Sequence, residues 1–200
     1  MPLRKNMAVW PDDTAFSYAL DATYEQDGAN VGRITMGLHN GTHIDAPYHY
    51  DDFGKSIDAL PIDLFTGMTQ VVDVTNVKTI TRDVIDALEL EHVERLFFKT
   101  RSTPAPFSFD AHFTPFTADA IHALAARGIR LIGTDAPSVD AFGAPLDAHA
   151  ACRDTDIIII ENLVLHHVEP NMYEFIGLPL AIPGADASPI RAVIRKHVKA

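Results

Sequence analysis

Apolar positions along the chain repeat with two periods. Short runs rich in Val, Ile and Phe, bounded by turn residues, predict strands over residues 31–38, 70–74, 95–100, 129–133 and 156–162. In the last of these, Ile157, Ile158, Ile159 and Ile160 follow one another without a polar break, the pattern of a strand buried on both faces. Helical patterns lie between the strands. Thr81 suits the cap of a helix running to about Leu90, and Thr117 the cap of one from Ala118 to Arg127, closed by Gly128. A short helix is expected from Leu146 to Cys152. Ser188 and Pro189 read as a cap and first helical residue for a segment reaching about Lys196. Strands alternating with helices predict an α/β fold with a mixed sheet, in a single domain spanning residues 1–200. Residues 38–55 and 103–115 fit neither period, and long irregular segments in a compact domain are often functional.

Composition narrows the class. Hydrophobic residues make up 47% of the 200 positions and charged residues 22%, enough apolar material for a real core. The longest apolar stretch is far short of a bilayer crossing. A formal net charge of -11 repels nucleic acid and anionic membrane surfaces, so neither is an expected partner. The single cysteine, Cys152, permits no internal disulfide, and the amino-terminal residues lack the apolar segment of a secretory signal. A cytoplasmic location follows as the default.

The candidate chemistry sits in the first irregular segment, His39-Asn40-Gly41-Thr42-His43-Ile44-Asp45-Ala46-Pro47-Tyr48-His49. Imidazole and carboxylate form a donor set suited to zinc and neighbouring divalent ions. Gly41 and Pro47 argue against a continuous helix. In extended backbone, residues two apart project to one side, so His43 and Asp45 can converge, and Gly41 lets the chain bring His39 back toward them. In a chain with ten histidines one such pair means little, whereas the full cluster is hard to explain as a solvated loop. Further donors are His149 and Glu161. A carboxylate next to four isoleucines either marks the wet end of the strand or is buried and bound to a cation. Asp135, after an apolar strand, can orient a ligand histidine or cap the turn at Pro137. His166 and His167 read as an exposed turn.

The segment HNGTHIDAPYH resembles the HxGTHxDxPxH signature of the cyclase-like metal-dependent hydrolases. Four more blocks extend the likeness over nearly the whole chain: VWPDDT from Val9, LIGTDAPSVD from Leu131, LDAH from Leu146 with Glu161 twelve residues after His149, and DASPIRAV from Asp186. The resemblance implies a swivelling β/α/β domain with a mixed sheet flanked by helices, assembled as a homodimer or higher oligomer. It also implies two divalent ions, Zn2+ or Mn2+. His39, His43 and Asp45 would hold one, and Asp45 would bridge to the other, completed by His149 and Glu161. His49 would be the general acid/base, and Trp10 would line the substrate site. The implied activity is hydrolysis of a linear amide, an aryl formamide such as N-formyl-L-kynurenine going to L-kynurenine and formate in tryptophan degradation. A cyclic amide such as isatin and a non-catalytic metal-binding role are the alternatives.

Overall fold

In a computed structural model, residues 1–196 are described. In chain order the elements are β1 (Ser17–Ala22), α1 (Tyr24–Asp27), β2 (Val31–Thr35), β3 (His43–Asp45), β4 (Thr66–Asp73), α2 (Arg82–Asp86) and β5 (Arg95–Lys99). There follow α3 (Ala118–Ala126), β6 (Leu131–Thr134), α4 (Asp147–Thr155), β7 (Ile158–Glu161), β8 (Asn171–Ile176), β9 (Ala187–Pro189) and β10 (Val193–Lys196). Eight strands form one mixed sheet in the order β10-β8-β4-β5-β6-β7-β3-β9. Its middle, β4 to β7, is parallel. The outer strands on both sides run antiparallel to their neighbours. β1 and β2 pair separately as an exposed antiparallel hairpin. Among the described residues no helix is long and apolar enough to cross a membrane.

Alternation along the central strands divides the core in two. Leu96, Phe98, Ile132, Ile157 and Ile159 pack with Ile121 and Leu124 of α3 and Ala148 and Cys152 of α4. Phe97, Leu131, Ile158 and Ile160 pack on the opposite face with Ile44, Phe65 and Phe175. The four consecutive isoleucines are therefore shared between two cores, as an unbroken apolar strand requires. Strand parity then puts Glu161 on the face of Ile157 and Ile159, toward α4. The same parity in β3 turns Ile44 away and leaves His43 and Asp45 on the α4 side.

Several boundaries differ from the sequence reading. α2 stops at Asp86 because the Gln70 side chain holds the backbone of the next segment, donating to Glu89 O at 2.9 Å and accepting from Glu91 N at 2.9 Å. Arg127 caps the shortened helix through the carbonyls of Ile85 and Leu88. α4 starts one residue later than expected and runs on to Thr155, where Asp156 adopts a left-handed conformation.

The helix expected from Ser188 does not form. Residues 187–189 are the edge strand β9, where a proline lacking an N–H is tolerated. The Ser188 hydroxyl, instead of capping a helix, accepts from Leu180 N at 2.8 Å and donates to Pro189 O at 2.9 Å. Val193–Lys196 pairs with β8. The segment 38–55 is not wholly irregular either: it holds β3 and a 3-10 turn over Pro47–His49.

Candidate metal centre

β3 places the first donors. Flanked by β7 and β9, its three residues are fully buried, and His43 stands directly opposite Glu161 in the β3–β7 ladder. Gly41, with φ of 72°, makes the bend that returns His39 to this strand. A Cβ there would come within 2.9 Å of the Leu3 side chain. His43 Nδ1 donates to Gly41 O at 2.9 Å, which leaves Nε2 free to accept a cation.

The donor atoms crowd around Asp45. His39 Nδ1 and His43 Nε2 lie 3.0 and 3.2 Å from Asp45 Oδ1. His149 Nε2 lies 3.8 Å from Asp45 Oδ2 and 3.9 Å from Glu161 Oε1. Glu161 Oε2 is 3.6 Å from His43 Nε2. Of three triads whose donor atoms lie within 4.8 Å of one another, one is His39–His49–Asp186 and the other two are His39–His43–Asp45 and Asp45–His149–Glu161. These last two share a carboxylate. They meet at Asp45, which is 0% exposed.

The residues fit a divalent cation. His43 Nε2 and both carboxylate oxygens of Asp45 are buried with no hydrogen-bond partner. Buried polar atoms are almost always paired, and a cation would satisfy all three together. The electrostatics point the same way. Burial works against charge on Asp45, but His43, His149 and His39 overcome it and hold the carboxyl well below its ordinary range. Burial also opposes charge on His149 and His39. The neighbouring carboxylates of Asp140, Asp45 and Glu161 raise the first to about 10, and those of Asp45 and Asp186 raise the second to about 9. Burial, and then the charge of Asp45, pushes Glu161 up to about 7. A centre that holds protons so firmly on its imidazoles has the negative field to hold a metal ion in their place.

Outer partners orient these donors. Asp140 Oδ2 accepts from His149 Nδ1 at 2.6 Å and from His149 N at 3.1 Å, and its Oδ1 accepts from Ala148 N at 2.8 Å. Asp186 Oδ2 accepts from His39 Nε2 at 2.9 Å, and Val139 N donates to Glu161 Oε1 at 3.0 Å. Asp140 and Asp186 are functional candidates that pattern reading missed, because each meets its histidine only in the folded chain. Asp135, read as a partner for a ligand histidine or a cap for the turn at Pro137, instead accepts from Thr100 N and Oγ1. His49, on the turn after β3, lies beside the centre with its ring 4.1 Å from His39 and 5.8 Å from His149. Burial, reinforced by the neighbouring His39 and His149 but opposed by Asp45, lowers its pKa.

A cavity of about 560 Å³ opens over the centre. His49, His149 and Glu161 border it on one side and Trp10, Phe109 and Phe113 on another. Trp10 packs edge-on to Phe109 at 5.1 Å and against Phe142 at 5.3 Å. His166 and His167 meet edge to face away from the cavity.

Fold and site together define an α/β protein built around an imidazole–carboxylate cation centre at the floor of an open, aromatic-walled cavity. Residues 1–141 match the family model described as putative cyclase, and the chain belongs to that cyclase family. It is 44% identical over 200 residues to the kynurenine formamidase of Bacillus cereus (strain ATCC 14579), covering 97% of this chain and 94% of that one. A solved structure described as a potential metal-dependent hydrolase with cyclase activity superposes with a TM-score of 0.84 at 29% identity, covering 98% and 96% of the two chains. Isatin hydrolase A from Labrenzia aggregata shares the fold, with a TM-score of 0.80 at 23% identity over 96% and 90%.

Proposed function

We propose that this chain is a metal-dependent amide hydrolase that converts N-formyl-L-kynurenine to L-kynurenine and formate in tryptophan degradation, in the cytoplasm. The observation that carries the reading is the convergence of five donors, three of their atoms buried and unpaired, beneath an aromatic wall. The 44% identity to a kynurenine formamidase over nearly all of both chains supports the substrate.

In this reading two Zn2+ or Mn2+ ions are held, one by His39, His43 and Asp45 and the other by Asp45, His149 and Glu161. Two separate oxygens on Asp45, each facing a different triad, support the bridge. When bound, such ions supply Lewis acidity, polarising a carbonyl oxygen and lowering the pKa of water. His49 takes the proton of the attacking water and delivers it to the amide nitrogen as the C–N bond breaks, because an arylamine leaves poorly unless protonated. Asp140 and Asp186 keep His149 and His39 in the tautomers that turn a lone pair to the centre. Trp10 and its phenylalanine neighbours exclude water and receive the aryl ring. A homodimer or higher oligomer belongs to the same reading. The β1–β2 hairpin, with Tyr18, Leu20, Val31 and Ile34 exposed, supports it, since a lone two-stranded sheet is marginal in water.

The test combines metal analysis with a turnover screen on N-formyl-L-kynurenine, formanilide and isatin. Two ions per chain and turnover of the formyl amides are expected. Turnover of isatin alone would replace this substrate with a lactam. Bound metal with no turnover of any amide would leave a metal-binding protein.

A further inference from the structure

Three arginines, Arg33, Arg101 and Arg191, offer a charge for an acidic substrate, and the fold separates them. Arg33 lies on the β1–β2 hairpin, paired with Asp21 at 3.0 Å. Arg191 is exposed and outside the cavity. Arg101 borders the cavity, and among the described residues it is the one Arg or Lys that does. Met1 also borders it, but its amino group is bonded to Thr42 Oγ1.

Arg101 has a fixed root and a free head. It follows β5 at the carboxyl edge of the parallel strands, the edge where open α/β sheets bind ligands. Glu161 ends β7 at that same edge. Its neighbour Thr100 is pinned to Asp135 through N at 2.9 Å and Oγ1 at 2.6 Å. The guanidinium itself makes no ion pair or side-chain hydrogen bond among the described residues. Asp110 and Asp135 feel its charge without pairing with it. A partly buried guanidinium without a partner, on a cavity whose other titratable side chains are acids and imidazoles, is poised for a carboxylate from outside.

From this we infer that Arg101 is a specificity-determining residue that binds the carboxylate of the substrate. The substrate class is then an aryl formamide carrying a carboxylate on its side chain, rather than a neutral formanilide. The inference rests on the formamidase reading: the formyl group lies at the cation centre, the ring against Trp10 and Phe109, and the carboxylate at Arg101. Asp13 and Asp110 border the same cavity and suit an α-ammonium group on that side chain.

The experiment compares N-formyl-L-kynurenine with N-formylkynuramine, which keeps the amine but lacks the carboxylate, on metal-loaded wild-type, Arg101→Met and Arg101→Lys proteins. For Arg101→Met the KM for formylkynurenine is expected to rise roughly tenfold to hundredfold, the range of a lost charge-assisted bond. The value for formylkynuramine should move by less than about twofold, and kcat should hold, because the contact is made equally in ground and transition states. Arg101→Lys should recover part of the loss. Calorimetric titration with L-kynurenine and kynuramine should show the same selectivity without turnover. Equal effects on both substrates, or none on either, would overturn the role of Arg101 while leaving the formamidase reading intact. A wild-type protein that hydrolyses neither formyl compound would overturn both.

Discussion

Asp140 receives three hydrogen bonds, two from the first turn of α4 and one from the His149 ring. It thus starts a helix and sets a donor's tautomer with one carboxylate. Asp140→Asn can keep a backbone bond but loses the charge that makes His149 a basic ligand. Metal affinity is expected to fall about 10–100-fold, measured by competition with a chelator. Unchanged affinity would reduce Asp140 to a helix cap. His49 differs in kind. Its pKa is lowered while His39 and His149 are raised, since burial and the charges of those two imidazoles outweigh the attraction of Asp45 and Asp186. His49→Ala is therefore expected to keep its metal and lose about 10²–10⁴-fold in kcat, the usual span for a proton-transfer group. Equal loss of metal would make it a ligand. At this scale His43 and Asp45 could be read from spacing, because extended backbone fixes their side, and His39 from the bend that Gly41 permits. Asp140 and Asp186 could not, because hydrogen bonds between distant segments leave no local period.

The strands of the sheet centre were readable because burial on both faces leaves an unbroken apolar signature, as in Ile157 to Ile160. β1, β8 and β10 were not. Their exposed or half-exposed positions mix polar and apolar residues, and pairing with a neighbour, not composition, makes them strands. β3 is the instructive case. Three residues between a glycine and a proline carry too little pattern to announce a strand, yet β7 and β9 hold them from both sides. The turn after β3 depends on a second contact. Gly54 packs on Pro47 so closely that an added Cβ would stand 2.4 Å from Pro47 C and 2.6 Å from Pro47 O. Gly54→Ala must therefore shift the turn that carries His49 and leave β3 in its ladder. Turnover is expected to fall about tenfold or more while metal content stays at the wild-type level, following the cost of misplacing a catalytic group by about 1 Å. Loss of metal in parallel would show that the turn and the strand move as one.

Across the whole chain, the centre ties together segments that are far apart in sequence: the 39–45 bend, α4 through His149, and the end of β7 through Glu161. An α/β fold with a mixed sheet was foreseeable from alternating elements, but this stitching was legible only through the family resemblance, since it depends on strand order. β3 is inserted between β7 and β9, next to a strand more than a hundred residues later. The stitched region holds two buried carboxylates, Asp45 and Glu161, that no Arg or Lys neutralises among the described residues. Without metal only protonated imidazoles offset these acids, and a divalent cation takes the place of those protons while cross-linking the three segments. Metal should therefore stabilise the entire sheet rather than the loop alone. Ligand bound only by the native state adds RT ln(1 + [L]/Kd), about 2.7 kcal/mol at a hundredfold excess over Kd. Protein stripped with a chelator is expected to unfold at a lower temperature by scanning calorimetry, with Tm climbing as Zn2+ is returned. Asp45→Ala, which removes the donor common to both triads, should abolish most of that climb. A Tm indifferent to metal in the wild-type protein would mean that the donors are held in place by packing alone and that the centre contributes nothing to the fold.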